Sequence, residues 1–230
     1  MRNLLILLAL TFVTVRAADP VLPPVLLSEF GKPWPANRTI NLVFHGHSVP
    51  AGYHKTPEVR PFESYPHLVH RKLNAQYPHA VINVIITAIG GEDSVAGAAR
   101  FERDVLCHKP DVIFIDYALN DRRKPLDQVE VSWRSMISAA QKQGIPLVLI
   151  TPTGDLKAKL GDPSDPLCQR ADLIRRLAKT EAVLLADVSA AWQEETTKGT
   201  PQTDLLSQQN HPNLRGHTLA AEVIAAPFLK

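Results

Sequence analysis

The feature that most constrains this 230-residue chain is a set of five short apolar runs separated by stretches of helical spacing. The runs cover residues 40–44, 81–88, 112–118, 146–150 and 182–186 and are rich in valine, isoleucine and leucine. Runs that are continuously apolar, rather than alternating with polar residues, mark strands buried on both faces. Helical patterns stand at residues 62–77, 94–107, 126–143 and 166–179, with a last one at 214–224. This alternation predicts a single three-layer α/β/α domain around a five-stranded parallel sheet. A chain of this length buries one substantial core. Open parallel sheets bind ligands beyond the carboxyl ends of their strands, so chemistry is to be sought just after each run.

The N-terminus reads differently. Arg2, an apolar run over residues 4–13 and the small residues Val15 and Ala17 have the pattern of a secretory signal, with cleavage expected after Ala17. Export then follows as the expected localisation. Residues 18–38, with five prolines between positions 19 and 35, are expected to form an extended lead-in to a domain over residues 39–230. Loss of Arg2 and Arg16 with the signal leaves 23 basic against 23 acidic residues. A neutral chain without a basic stripe does not read as a nucleic-acid binder. No segment after the signal is long and apolar enough to span a bilayer, so stable membrane association is not expected. Cys107 and Cys168 leave two readings open in an oxidising compartment, a bridge or two separate buried thiols.

Polar residues gather where the strands should end. Gly46-His47-Ser48 and then Gly52 follow the first strand. Gly90-Gly91-Glu92 follows the second, and Asn120-Asp121 the third. His211-Pro212-Asn213, then Gly216, opens the last helix. A strand-end serine needs a base to become a nucleophile, and a distant histidine supplies one. A glycine turn and an asparagine amide add donors of the kind that stabilise an oxyanion. His45 and His47 form a His-x-His pair, but two ligands do not make a zinc site, and neither metal nor cofactor is expected.

Taken together, residues 44–52, Gly91 with residues 100–106, residues 109–112 with Asn120-Asp121, and residues 211–217 resemble the four blocks of the SGNH (GDSL-like) hydrolase superfamily. The resemblance implies a flavodoxin-like α/β/α fold and a serine ester hydrolase. It implies Ser48 as nucleophile, His211 as base, and the N–H groups of Ser48 and Gly91 with the Asn120 amide as oxyanion donors. Family analogy further points to removal of short acyl groups, acetyl first, from a carbohydrate. The expected partner is therefore a small or polysaccharide ester. A lipase-like or thioesterase activity is the rival within the class. A non-catalytic binder of a sugar or acyl ligand is the rival outside it.

The chain departs from the pattern at three places. His47 stands where the family has aspartate, and Ala118 where it has glycine. Gln208 stands three residues before His211, where the family has its orienting aspartate. The expectation is a Ser48–His211 dyad, with Gln208 or a backbone carbonyl as orienter; Asp204 is the less favoured substitute. His47, Glu92 and Arg122 are the residues expected to contact substrate.

Overall fold

The computed structural model describes residues 20–229. The expected signal segment lies outside the described residues. In chain order the elements are α1 (Pro24–Phe30), β1 (Thr39–Gly46), α2 (Ser48–Ala51), α3 (Tyr65–Gln76), β2 (Val81–Ile86), α4 (Ser94–Asp104) and β3 (Val112–Asp116). There follow α5 (Ala118–Asp121), α6 (Leu126–Gln141), β4 (Leu147–Ile150), α7 (Pro166–Thr180), β5 (Leu184–Ala186), α8 (Val188–Thr197) and α9 (Leu214–Ala225). The five strands form one parallel sheet in the order β2-β1-β3-β4-β5. This is the expected three-layer architecture.

Strand period fixes which side chain faces which layer. Leu42 and Phe44 point to one face, where Phe114, Leu73, Ile224 and Phe228 complete a core beneath α1, α3 and α9. Val43, Ile113 and Ile115 point to the other, against Phe101, Trp133, Ile137 and Ile174 from α4, α6 and α7. β1 lies between β2 and β3, with Gly46 paired to Asp116. A side chain on Gly46 would run into the Asp116 backbone, so a glycine is needed for the chain to turn here. The ends of β2, β1 and β3 thus open side by side on one edge.

Some boundaries differ from the sequence reading. The lead-in is not wholly extended, because residues 24–30 form α1. Proline at the first helical position lacks only an N–H that would be unsatisfied anyway, so it starts a helix as readily as it breaks one. Leu26 and Phe30 bury this helix in the main core. The helix expected from residue 62 begins at Tyr65, after a separate turn over Pro61–Glu63. The last strand starts at Leu184, because Ala182 takes a positive φ and Val183 still bonds back to Ala178. Both cysteines are free thiols, and Cys107 is exposed rather than buried.

Candidate active site

Ser48 is placed by β1 and the turn that follows it. It begins α2, and Gly52 closes that short helix in the left-handed region at φ +87°. Its side chain is buried to 6% exposure. His211 comes from a narrow hairpin over residues 205–213. Leu206 pairs with Pro212, and the His211 carbonyl accepts from Ser207 N–H at 2.8 Å. Asn213 then caps α9 by accepting from Gly216 N–H at 3.1 Å, which explains the asparagine in this block. The hairpin presses so closely on α9 that any side chain on Gly216 would meet the Leu205 carbonyl. The result is a separation of 3.0 Å between His211 Nε2 and Ser48 Oγ. Burial holds His211 below the ordinary histidine pKa, partly offset by a hydrogen bond to the His54 carbonyl.

The turn after β2 puts Gly91 at φ +81° and leaves its N–H without a protein partner among the described residues. Asn120, on α5, donates to the Glu92 carbonyl at 2.8 Å and so locks itself to that turn. Behind the turn, Glu92 accepts both Arg100 Nε, at 2.9 and 3.0 Å, and the Tyr117 hydroxyl at 2.9 Å. Asp121 accepts from Ser94 N–H at 2.8 Å and Trp133 Nε1–H at 2.9 Å, and burial raises its pKa. It ties α5 to the start of α4. Ser48, Gly91 and Asn120 therefore stand at three adjoining strand ends, with His211 reaching in from the C-terminal hairpin.

The expected substrate contacts are committed elsewhere. His47 is 1% exposed. Its Nδ1 accepts from Val49 N–H at 3.2 Å, which caps α2. Its Nε2 stands 3.3 Å from Asp116 Oδ1, too far out of line for a hydrogen bond. An aspartate at this position can make the same cap, so the departure preserves the turn by other means. Glu92 is held by Arg100 and Tyr117. Arg122 donates to the Leu119 carbonyl at 2.7 Å and pairs with the fully buried Asp155 at 2.9 Å. All three are thus bonded within the protein.

Gln208 lies beside His211, with its Nε2 2.7 Å from His211 Nδ1. A second group does too: the backbone carbonyl of His54, 3.0 Å from the same nitrogen. His54 belongs to the loop of residues 53–59, closed by the Tyr53–Val59 bridge and by His54 N–H on the Glu58 carbonyl at 3.0 Å. Tyr53 carries no signal in the sequence that would single it out. Its ring lies 5.9 Å from that of His211 and against Gly90, and it is 40% exposed. It forms the open wall of the site.

The family model for GDSL-like lipases and acylhydrolases matches residues 44–219. The chain belongs to this family. It is a carboxylic ester hydrolase. An acetylxylan esterase of Geobacillus stearothermophilus is 27% identical over 165 residues, covering 65% of this chain and 73% of that protein. The crystal structure of Axe2, an acetylxylan esterase of Geobacillus stearothermophilus, superposes with a TM-score of 0.72 at 25% identity, over 82% of this chain and 94% of the other. Catalytic mutants of that esterase replace a serine, a histidine and an aspartate three positions before the histidine. In the family member described here, the residue three positions before His211 is Gln208.

Proposed function

We propose that this hydrolase is exported and removes acetyl groups from an acetylated carbohydrate, with Ser48 as nucleophile and His211 as base. The 3.0 Å approach of His211 Nε2 to Ser48 Oγ at the open edge of the sheet carries the reading. Similarity to an acetylxylan esterase supports the choice of acyl group and alcohol. The signal-like N-terminus supports export.

In the proposed reaction Ser48 Oγ attacks the ester carbonyl carbon while its proton passes to His211 Nε2. The carbonyl oxygen becomes an oxyanion, held by the N–H groups of Ser48 and Gly91 and by the second N–H of the Asn120 amide. Collapse breaks the carbon–oxygen bond to the sugar, and His211 returns the proton to the leaving hydroxyl. Water then repeats the attack on the acyl-serine and releases acetate. For Nε2 to take a proton, Nδ1 must carry one, and the His54 carbonyl is the group that accepts it.

The test is hydrolysis of 4-nitrophenyl acetate and of acetylated xylan by the parent protein beside Ser48→Ala and His211→Ala. Each variant is expected to lose turnover by on the order of 10⁴-fold or more. A parent no faster than its variants on both substrates overturns the reading in favour of a binding protein. Activity on 4-nitrophenyl acetate alone keeps the esterase and removes xylan as the alcohol.

A further inference from the structure

Two groups compete for one nitrogen of His211. The His54 carbonyl oxygen lies 3.0 Å from Nδ1 and Gln208 Nε2 lies 2.7 Å from it. A carbonyl only accepts, so it favours a proton on Nδ1; an amide nitrogen only donates, so it favours a bare Nδ1. One ring nitrogen cannot satisfy both. The amide is not free to reverse, because its Oε1 accepts Thr56 N–H at 3.1 Å and the Thr56 hydroxyl at 3.3 Å. Turning it over would set two N–H groups face to face and leave the backbone donor of Thr56 unpaired. The short loop that presents the His54 carbonyl thus also anchors Gln208 in opposition to it.

We infer that Gln208 is a positioning residue that holds resting His211 in its Nε2–H tautomer, so that catalysis requires the proton to move to Nδ1, onto the His54 carbonyl. The inference rests on the Ser48–His211 reading above. In the resting state Nδ1 accepts from Gln208, and Nε2–H donates to Ser48 Oγ, the wrong direction for abstracting the serine proton. The tautomer that can act has its Nδ1–H on His54 and faces the Gln208 N–H as a like partner. During acyl transfer the ring becomes an imidazolium, and that same N–H then points at a cation. No carboxylate among the described residues offsets it directly. The titratable groups around the ring are His47, His54, the Tyr53 phenol at 5.9 Å between ring centres and, from α9, His217, and Glu58 is reached only through the His54 side chain, at 3.6 Å.

Gln208→Glu is the direct test, because it keeps the shape and leaves one oxygen on Thr56 N–H. The other oxygen replaces the opposing donor with an acceptor for Nδ1–H. The expected gain in kcat is roughly 10- to 100-fold, part of the factor of about 10⁴ that separates right from wrong tautomer in a serine protease. The acid limb of kcat/KM should move to higher pH, since a carboxylate stabilises the imidazolium. Gln208→Ala removes the opposing donor without adding charge, and its expected gain is roughly two- to ten-fold, through a larger population of the competent tautomer. Nitrogen NMR of the labelled imidazoles at neutral pH reads the tautomer directly, with His211→Asn identifying the signal. The parent should carry its proton on Nε2 and the Glu variant on Nδ1. A parent with the proton on Nδ1, or folded Glu and Ala variants no faster than the parent, overturns the inference. Failure of the esterase reading itself is distinct: parent and Ser48→Ala would be equally slow, while the tautomer would still be read.

Discussion

Asn120 offers two amide hydrogens, and one is already spent on the Glu92 carbonyl at 2.8 Å. In the proposed reaction the second serves the oxyanion. Removing a single oxyanion donor costs about 10²–10³ in kcat in a serine protease, because the charge it serves exists only on the reaction path. Asn120→Ala is therefore expected to lower kcat by about that factor while changing KM little, as steady-state kinetics on an acetyl ester would record. KM rising in proportion to the loss would instead make Asn120 a ground-state contact. At this scale Ser48, Gly91, Asn120 and His211 are legible because each sits in a local signal, a glycine turn or a strand end, that survives without any fold. The His54 carbonyl is not legible by position, since every residue has a carbonyl and only the 53–59 loop selects this one. His47 reads from the sequence as a substrate contact because it adjoins Ser48, whereas its ring nitrogen does what a capping oxygen does.

At the scale of elements, α4 carries a glycine for packing rather than for flexibility. Gly97 lies in the body of the helix, and a Cβ there would run into the Tyr117 ring. Alanine normally favours a helix interior over glycine by about 1 kcal/mol. Here it would displace a buried hydroxyl that donates to Glu92 at 2.9 Å, lies 3.0 Å from His45 Nε2 and accepts from Arg100 at 3.2 Å. Overpacking of this kind typically costs about 1–3 kcal/mol, enough to reverse the sign. Gly97→Ala is thus expected to lower unfolding free energy by about that amount in a urea titration. A more stable variant would show that the ring yields freely. The elements themselves follow from apolar periodicity, which is why the sheet and the flanking helices can be read from the chain. α1 cannot, because Pro24 is equally at home in a lead-in and at a helix start. α8 escapes a sequence reading because it buries little more than Val188 and Trp192, too narrow a stripe to show as a period.

For the whole molecule, two buried imidazoles couple the fold to pH. His45 sits beneath α4, with Nε2 3.1 Å from the Gly97 carbonyl and Nδ1 2.8 Å from the Thr87 hydroxyl. His217 sits on the other side of the sheet, where its Nδ1 accepts from Tyr65 N–H at 3.3 Å and so satisfies a donor at the buried start of α3. Burial lowers His45 to about 4, with the Arg100 charge adding to it, and lowers His217 to about 3. Both are neutral in the folded state at pH 5, whereas in the unfolded chain both bind protons below about 6.5. The unfolded state therefore holds more protons as pH falls through that value, and stability declines with it. Each histidine contributes a slope of about 1.4 kcal/mol per pH unit between about 6.5 and its folded pKa. Denaturant unfolding at pH 7 and pH 5 should differ by a few kcal/mol in favour of pH 7, and equal stabilities would mean that neither imidazole is held neutral. His211, the base in the proposed reaction, is shifted in the same direction, since burial also lowers it. At any mildly acid pH a larger share of His211 is neutral than of a free imidazole, while the surrounding fold is losing its margin. Brief assays at pH 5 are accordingly expected to retain a larger share of activity than assays after long incubation at that pH, the difference tracking the unfolded fraction.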